Sequence, residues 1–147
     1  MVLRERLSEE MKIAMKSRDD LRLSSIRMIR SAVKNREIEL KKELEDQEVV
    51  EVIATLVKQR KESIRLFMEA DRSDLVAKEE AELAVLHEFL PQQLSREEIE
   101  ALVEKVITES GAREIKDMGR VMKLLMPHVA GRTDGKTVSD VVKEKLV

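Results

Sequence analysis

Apolar residues recur at helical spacing in four stretches of the first 90 positions. In the second stretch, for example, Ile26, Ile29 and Val33 fall on one stripe, because side chains three and four residues apart share a face of an α-helix. The pattern predicts α-helices over about residues 2–17, 20–44, 47–70 and 73–90. Pro91 ends the fourth, since the residue before a proline avoids the helical region. Long helices with short joints are expected to pack as antiparallel neighbours.

Helix-breaking residues divide the chain into two parts. Residues 1–90 contain neither glycine nor proline, whereas the four glycines lie at positions 111, 119, 131 and 135. This contrast predicts a domain over 1–90 and a second over 91–147 with shorter helices. The expected fold class is all-α, with an N-terminal antiparallel helical bundle followed by a small three-helix C-terminal subdomain.

Capping residues mark the expected helix ends. Asp46 is expected to cap the third helix, and Ser95 with Glu98 has the spacing of a capping box for the first helix of the second domain, which Gly111 stops. A further helix is expected near Lys116–Met126, ending at Pro127. The last helix follows the turn Thr133-Asp134-Gly135, where Thr137 and Asp140 again have capping-box spacing.

Composition narrows the function classes. Charged residues make up 39% of the chain and aromatic residues 1%, and there is no cysteine, which excludes disulfides and thiolate metal sites. The amino-terminal segment is charged throughout and is not a secretory signal, and no apolar run is long enough for a membrane span. We therefore expect a cytoplasmic protein without a membrane partner. The net charge of −2 gives no global preference for nucleic acid.

No pattern in the chain indicates catalysis. His87 and His128 lie far apart and lack neighbours at metal-ligand spacing. His87 is expected to pack against a helix, while His128 could meet a phosphate, cap a helix or face solvent. Residues 130–137 satisfy a relaxed phosphate-loop pattern, but no strand precedes them and no long helix follows. We expect no catalytic residues, no metal site and no cofactor.

Basic residues form three clusters. Arg27, Arg30, Lys34 and Lys41 share one side of the second predicted helix, and Lys58, Lys61 and Arg65 lie on the third. In both, the favoured interpretation is that the aliphatic stems cover the flanks of buried stripes. The cluster after Ser110 lies among glycines and helix starts, so phosphate binding there is as plausible as a solvated surface. Without Trp or Tyr to stack bases, RNA contact should involve the backbone and shape of folded RNA.

Several motifs in order carry a family resemblance. They are Arg27-Met28-Ile29, residues 58–63 (KQRKES), residues 89–95 (FLPQQLS), residues 116–122 (KDMGRVM), Leu125-Met126-Pro127 and residues 131–135 (GRTDG). Across essentially its whole length the chain closely resembles the YqeY family. That family is similar to the C-terminal helical and tail regions of GatB, a subunit of the glutamine-dependent amidotransferase that converts misacylated tRNA.

The resemblance implies two helical subdomains and a relation to tRNA, because the amidotransferase tail region contacts the outer part of folded tRNA. It does not imply amidotransferase chemistry. The carbon–nitrogen ligase centre, which takes glutamine as amido-N-donor, belongs to a separate N-terminal domain that nothing in this chain resembles.

The leading hypothesis is a module that binds tRNA or another structured RNA through the C-terminal subdomain. The expected RNA-binding residues are Lys116, Arg120, Lys123, Arg132, Lys136, Gly119, Gly135 and His128. The hypothesis requires these cations to lie together and to be free of internal ion pairs. The alternative is a protein–protein adaptor that docks to an amidotransferase or an aminoacyl-tRNA synthetase through the N-terminal helices, where Met11, Met15 and Met28 suit an adaptable surface.

Overall fold

The computed structural model describes residues 2–147, and every regular element in that range is a helix. The predicted all-α class is therefore confirmed. The α-helices are α1 Val2–Ser17, α2 Asp20–Leu40, α3 Asp46–Glu69, α4 Ser73–Glu88, α5 Arg96–Ser110, α6 Met118–Val129 and α7 Gly135–Leu146. A short 3-10 helix, Ile115–Asp117, leads into α6. None of these helices combines the length and the apolar character that crossing a membrane requires.

The chain forms two compact units, Met1–Leu90 and Pro91–Val147. In the N-terminal unit, α1 packs on α2 and α3, while α4 packs on α2 and α3. The core is aliphatic apart from one aromatic ring, and its fully buried members include Ile26, Ile29, Leu86 and Phe89. Burying each such side chain contributes roughly 1.5–3 kcal/mol, so the apolar stripes seen in the sequence hold the bundle together.

Two arginines from different helices cover the Phe89 ring. The guanidinium carbons of Arg6 and Arg22 lie 4.8 Å and 5.8 Å from its centroid. Arg22 also pairs with Glu88 and, at 3.0 Å, with Glu10, and these contacts raise the pKa of Arg22, the hydrogen bond to Glu88 contributing most. Charged side chains thereby tie α1 and α2 to the end of α4.

The joints of this unit are made without glycine. Arg18, Lys41 and Asp71 adopt positive φ angles of 56°, 57° and 55°, the left-handed conformation in which glycine usually ends a helix. The prediction that the second helix reaches about residue 44 is wrong, because α2 stops at Leu40 and Lys41 is its left-handed cap.

Glu37 explains why α2 ends early. Its Oε2 accepts a 2.9 Å hydrogen bond from the Leu44 N–H and also pairs with Arg4. These partners, Leu44 first, lower the pKa of Glu37. Leu44 leaves the helix and enters the core, where it is fully buried.

The predicted Asp46 cap of the third helix is also wrong. Glu45 holds the capping position, and its N–H donates to Oε1 of Glu48 at 3.1 Å. Asp46 is instead the first residue of α3, and its Oδ1 accepts the Leu3 N–H at 3.3 Å. The carboxylate therefore joins the start of α1 to the start of α3.

The C-terminal unit packs α5, α6 and α7 against one another around Val103, Val121, Leu125 and Val141. The Ser95 hydroxyl accepts the Glu98 N–H at 3.2 Å, as the first half of the predicted capping box requires. Gly111 follows α5 at φ 72°, the left-handed position expected of it.

Two helix boundaries in this unit differ from the prediction. Pro127 lies inside α6, which continues to Val129. This is tolerated because the proline falls in the last turn, where it removes a single backbone hydrogen bond to Lys123 and the Ala130 N–H closes the helix on Met126. The last helix starts at Gly135 and is capped by Asp134, whose side chain accepts the Thr137 N–H at 2.7 Å, rather than by Thr137.

Candidate nucleic-acid interface

Helix α6 presents a cationic face on the side opposite the core. Its buried residues Val121, Leu125 and Val129 follow a spacing of four, which places them on one side of the helix. Arg120 and Lys123 are exposed, and at 100° per residue both fall on the opposite side. Gly119, one turn before Lys123, lies on the same face. We call Gly119, Arg120 and Lys123 the α6 face.

The ion pairs near the α6 face are weak. Lys116, in the 3-10 helix just before α6, lies 3.2 Å from Glu114, and its side chain is 76% exposed. Arg120 lies 3.6 Å from Asp117. The requirement that the cations be free of internal ion pairs is therefore not met by Lys116 and Arg120, although exposed pairs of this kind contribute only roughly 0–1 kcal/mol. Lys123 has no carboxylate partner within residues 2–147.

Asp117 makes closer contacts with the backbone than with the Arg120 side chain. Its Oδ2 accepts the N–H groups of Arg113 at 3.0 Å and Glu114 at 3.2 Å. These two hydrogen bonds are the largest causes of the lowered pKa of Asp117. The carboxylate therefore stabilises the turn into the 3-10 helix. It contacts the Arg120 guanidinium through one nitrogen atom only.

Gly119 and Gly135 both lie in the first turn of a helix. A Cβ atom added to either would meet no atom within 4 Å, and neither has a positive φ. Neither glycine is required by internal packing or by backbone conformation. The space beside both glycines is open, although the first N–H of α6, that of Met118, already donates to the Ile115 carbonyl.

An aspartate stands at the capping position of both helices, Asp117 before α6 and Asp134 before α7. The Asp134 side chain already accepts the Thr137 N–H, and its negative charge opposes an anion at that helix end. Lys136 is exposed and forms no ion pair with a carboxylate in the described part of the chain. Lys136 is thus an available cation, while Gly135 lies beside an occupied cap.

Arg132 is engaged in the fold. Its Nε donates to the Gln92 carbonyl at 3.2 Å, and its own carbonyl accepts the Leu94 N–H at 2.8 Å. The Gln93 side-chain amide donates to the carbonyls of Pro91 and Gly131. These contacts fasten the segment before α5 to the loop before α7. They give Gln92, Gln93 and Leu94 of the 89–95 motif a structural role and engage Nε of Arg132 in the fold.

His128 does not join the α6 face. It is exposed, but five residues beyond Lys123 it is rotated by about 140° around the helix. The structure therefore brings Arg120, Lys123 and Gly119 together with Lys116 just before them. It leaves Arg132 and His128 elsewhere and places Gly135 and Lys136 at the start of α7.

Exposed apolar side chains flank the cations, a feature absent from the sequence prediction. Ile115, Leu124 and Met126 are 51%, 47% and 42% exposed. The signal was present in the run Leu124-Leu125-Met126, since three successive residues of a helix cannot all face one core. The candidate interface is consequently amphipathic rather than purely cationic.

The N-terminal basic stripes separate into two kinds. On α3, Arg65 pairs with Glu62 and Glu69 at 2.5 Å and 2.7 Å, which agrees with a solvated helix surface. On α2, Lys41 has left the helix, whereas Arg27, Arg30 and Lys34 line a groove.

No group of three His, Asp or Glu side chains within 2–147 could hold a metal ion. His87 is half-buried against the bundle, and burial, followed by the nearby Lys61 ammonium, lowers its pKa. The candidate site offers a binding partner exposed cations with apolar side chains beside them.

A four-helix bundle followed by a three-helix unit defines the class: a small, two-unit, all-α protein. The sequence model of the Yqey-like protein family matches residues 4–146. The chain belongs to the YqeY family.

Three curated relatives are fungal proteins named Altered inheritance of mitochondria protein 41, mitochondrial. The relative from Kluyveromyces lactis is 36% identical over 141 residues, covering 93% of this chain and 72% of the relative. That from Lachancea thermotolerans is 39% identical over 106 residues, covering 70% and 57%. That from Saccharomyces cerevisiae is 30% identical over 151 residues, covering 96% and 79%.

The names of these relatives correct one expectation from the sequence. A cytoplasmic location was expected from the lack of a secretory signal and of a membrane span. The relatives are named as mitochondrial proteins, so that expectation is wrong. Neither of the two sequence features on which it rested distinguishes the cytoplasm from the interior of an organelle.

Proposed function

We propose that this protein is a binding module for structured RNA, with tRNA as the first ligand to test. The observation that carries the proposal is the α6 face, where Arg120 and Lys123 project away from the core and Lys123 lacks a carboxylate partner among the described residues. The relation to tRNA comes from the resemblance to the amidotransferase tail region. No ligase activity forms part of the proposal.

The proposal uses fewer RNA-contacting residues than the sequence analysis predicted. Lys116, Arg120 and Lys123 would neutralise successive phosphates, and Lys136 would supply a further cation from α7. Gly119, which has open space where a Cβ atom would lie, would let a phosphate come close to the α6 face. Arg132 acts indirectly by holding the loop before α7.

The exposed apolar residues favour folded RNA over a simple polyanion. Ile115 and Leu124 flank the cations and would contact ribose faces exposed in a wide, shallow minor groove. The chain has no tryptophan or tyrosine, and Phe89 is buried, so stacking on single-stranded bases is not part of the mechanism.

Charge reversal on the interface tests this proposal. Replacing Lys116, Lys123 and Lys136 by Glu should weaken binding of bulk tRNA by about a hundredfold or more, because every phosphate that is no longer neutralised reduces the favourable free energy of counterion release. Fluorescence anisotropy with labelled tRNA measures the effect. Since the relatives are named as mitochondrial proteins, mitochondrial tRNA is a second probe. Arg132 is left unchanged because its removal would disturb the fold.

The matched control replaces Lys12, Lys58 and Lys78 by Glu. These lysines are exposed in the N-terminal unit, and the substitution changes the net charge by the same amount. The control should retain tRNA affinity to within about threefold, the residual effect of net charge. An equal decrease of affinity in both variants would show that no localised interface exists.

We infer a second candidate function, protein–protein adaptor, from a specific feature of the N-terminal unit. Met11 and Met15 line a groove between α1 and α2 together with cations of α2. Flexible methionine surfaces suit the docking of helical partners. This function would use the N-terminal unit and is independent of the α6 face.

A further inference from the structure

A groove lies between α1 and α2 in the N-terminal unit. Its cavity volume is about 720 Å³, within the range of sites that hold ligands or peptide segments. Leu7, Met11 and Met15 recur at a spacing of four along α1 and line one side of the groove. Arg27, Arg30 and Lys34 recur at three and four along α2 and line the other.

The groove cations lack the carboxylate partners that other arginines of this unit have. Most arginines in the bundle are paired with a carboxylate: Arg4, Arg6, Arg22, Arg36, Arg60, Arg65 and Arg72. Within residues 2–90, Arg27, Arg30 and Lys34 form no such pair, and Arg30 instead places Nη1 2.9 Å from the Met11 sulfur. Glu37 also lines the groove but is paired with Arg4. The three positive charges of α2 are therefore available to carboxylates of a ligand.

The floor of the groove indicates a protein ligand. Leu7, Val33 and Val49 form its buried base, and Met15 is 51% exposed beside them. A phosphate group gains no favourable contact from an apolar floor. The groove also contains no aromatic ring on which a base could stack. A ligand that is acidic on one side and apolar on the other would pair with the cations of α2 and pack against the apolar side chains of α1.

The walls also favour a helix over an extended peptide. Both are α-helices whose backbone groups are already paired, so no strand edge is available to an extended chain, whereas a helix satisfies its own N–H and C=O groups. Arg27 to Lys34 spans about 10 Å at 1.5 Å per residue. That length matches two turns of a partner helix with apolar side chains at i, i+4 and i+7.

We propose that the α1–α2 groove is a docking site for an acidic amphipathic helix of a partner protein. The inference rests on the adaptor function and does not depend on RNA binding. The apolar face of the partner helix packs on Met11 and Met15, and its carboxylates pair with Arg27, Arg30 and Lys34. Unpaired cations and an apolar floor are then both explained by one occupant.

A designed peptide tests the groove on the full-length chain. The probe is a fluorescein-labelled helix of about 16 residues, roughly four turns, with leucines at i, i+4, i+7 and i+11 and glutamates on the flanks. Replacing Arg27, Arg30 and Lys34 by Gln should weaken its binding about tenfold or more, since the groove then offers no cation to the glutamates. Replacing Lys58, Lys78 and Lys105 by Gln removes the same charge from other exposed positions and should leave binding unchanged.

Methyl NMR of the wild-type protein locates the peptide without relying on any variant. Addition of the acidic peptide should shift the methyl resonances of Met11 and Met15 and leave those of Met68 and Met126 in place. No shift at Met11 and Met15 would overturn the proposal. So would equal binding of the same peptide with lysines in place of its glutamates, because the groove cations would then not select the ligand.

Two further measurements separate this proposal from RNA binding. The Lys116, Lys123 and Lys136 charge-reversal variant should bind the acidic peptide as the wild type does, so failure of the RNA site leaves the groove test intact. If tRNA shifts the Met11 and Met15 methyls while the acidic peptide does not, the groove belongs to a nucleic acid and the helix-docking proposal is wrong.

Discussion

The two units use their charged residues differently. In the N-terminal unit, partly buried ion pairs connect helices: Arg22 with Glu10, and Arg60 with Glu79 and Glu82, where both glutamates are largely buried. In the C-terminal unit the ion pairs lie on the surface, as between Lys145 and Glu104. Some ion pairs of the first unit therefore connect its helices, while the cations on α6 remain accessible.

The two units also end their helices differently. Arg18, Lys41 and Asp71 adopt left-handed backbone conformations in the N-terminal unit, whereas Gly111 takes that role after α5. A residue with a Cβ atom in this conformation is strained by roughly 1–2 kcal/mol. The N-terminal unit therefore tolerates local strain at its joints, and the C-terminal unit makes the same kind of turn without it.

The largest expected effect comes from the two cores. Leu86→Ala and Leu125→Ala each remove a fully buried side chain and should each lower the free energy of unfolding by about 3 kcal/mol. Urea denaturation measures the decrease. Hydrogen exchange should locate it in α1–α4 for Leu86→Ala and in α5–α7 for Leu125→Ala. Equal acceleration in both units by either variant would contradict separate cores.

Removal of the Glu37 side chain should be the next largest effect. Glu37→Ala leaves the Leu44 N–H without its acceptor and Arg4 without its partner, which should destabilise the protein by about 2 kcal/mol. Glu39→Ala is the control, because Glu39 forms an exposed pair with Arg36 and should cost less than about 0.5 kcal/mol. Equal destabilisation in urea denaturation would refute the role of Glu37 in ending α2.

The helix joints provide an opposite pair of substitutions. Gly111→Ala should destabilise the protein by about 1 kcal/mol, since a Cβ atom strains a backbone at φ 72°. Lys41→Gly should stabilise it by roughly 0.5–1 kcal/mol, because the same conformation is then free of strain. Both are measured by thermal and urea unfolding. A destabilising Lys41→Gly would show that the Lys41 conformation is not strained.

The smallest expected effect is on pH dependence. Burial and Lys61 lower the pKa of His87 in the folded chain, so the unfolded chain takes up this proton first as the pH falls below about 6.5. The contribution of neutral His87 to stability is complete above that pH and declines below it. His87→Gln should flatten the decline between about pH 7 and pH 5. An unchanged decline in His87→Gln, followed by urea denaturation at a series of pH values, would contradict this assignment.

The sequence predicted the helices better than their ends. Apolar periodicity located the buried stripes of α2 and α3, because burial depends on spacing alone. The end of α2 depends on Glu37 reaching the Leu44 N–H, a contact set by the fold. Pro127 was expected to end a helix, although the last turn of α6 accommodates it. Each of these boundaries follows from one side chain and its partner rather than from periodicity.

The candidate site was predictable in part. Lys116, Arg120 and Lys123 were predicted because they lie among glycines and expected helix starts. Arg132 was expected to contact the ligand, but its hydrogen bond to Gln92 spans 40 residues of sequence, and spacing does not reveal such a contact. The groove was missed for the same reason. It forms only because the fold places Met11 and Met15 of α1 beside the cations of α2.

The salt dependence of tRNA binding tests the central claim most directly. If the α6 face and its neighbours neutralise about three phosphates, the logarithm of the affinity should fall with the logarithm of salt concentration with a slope of roughly −2 to −3. Lys123→Gln should make this slope shallower by about 1. A slope near zero for the wild-type protein, or an unchanged slope for Lys123→Gln, would contradict the account.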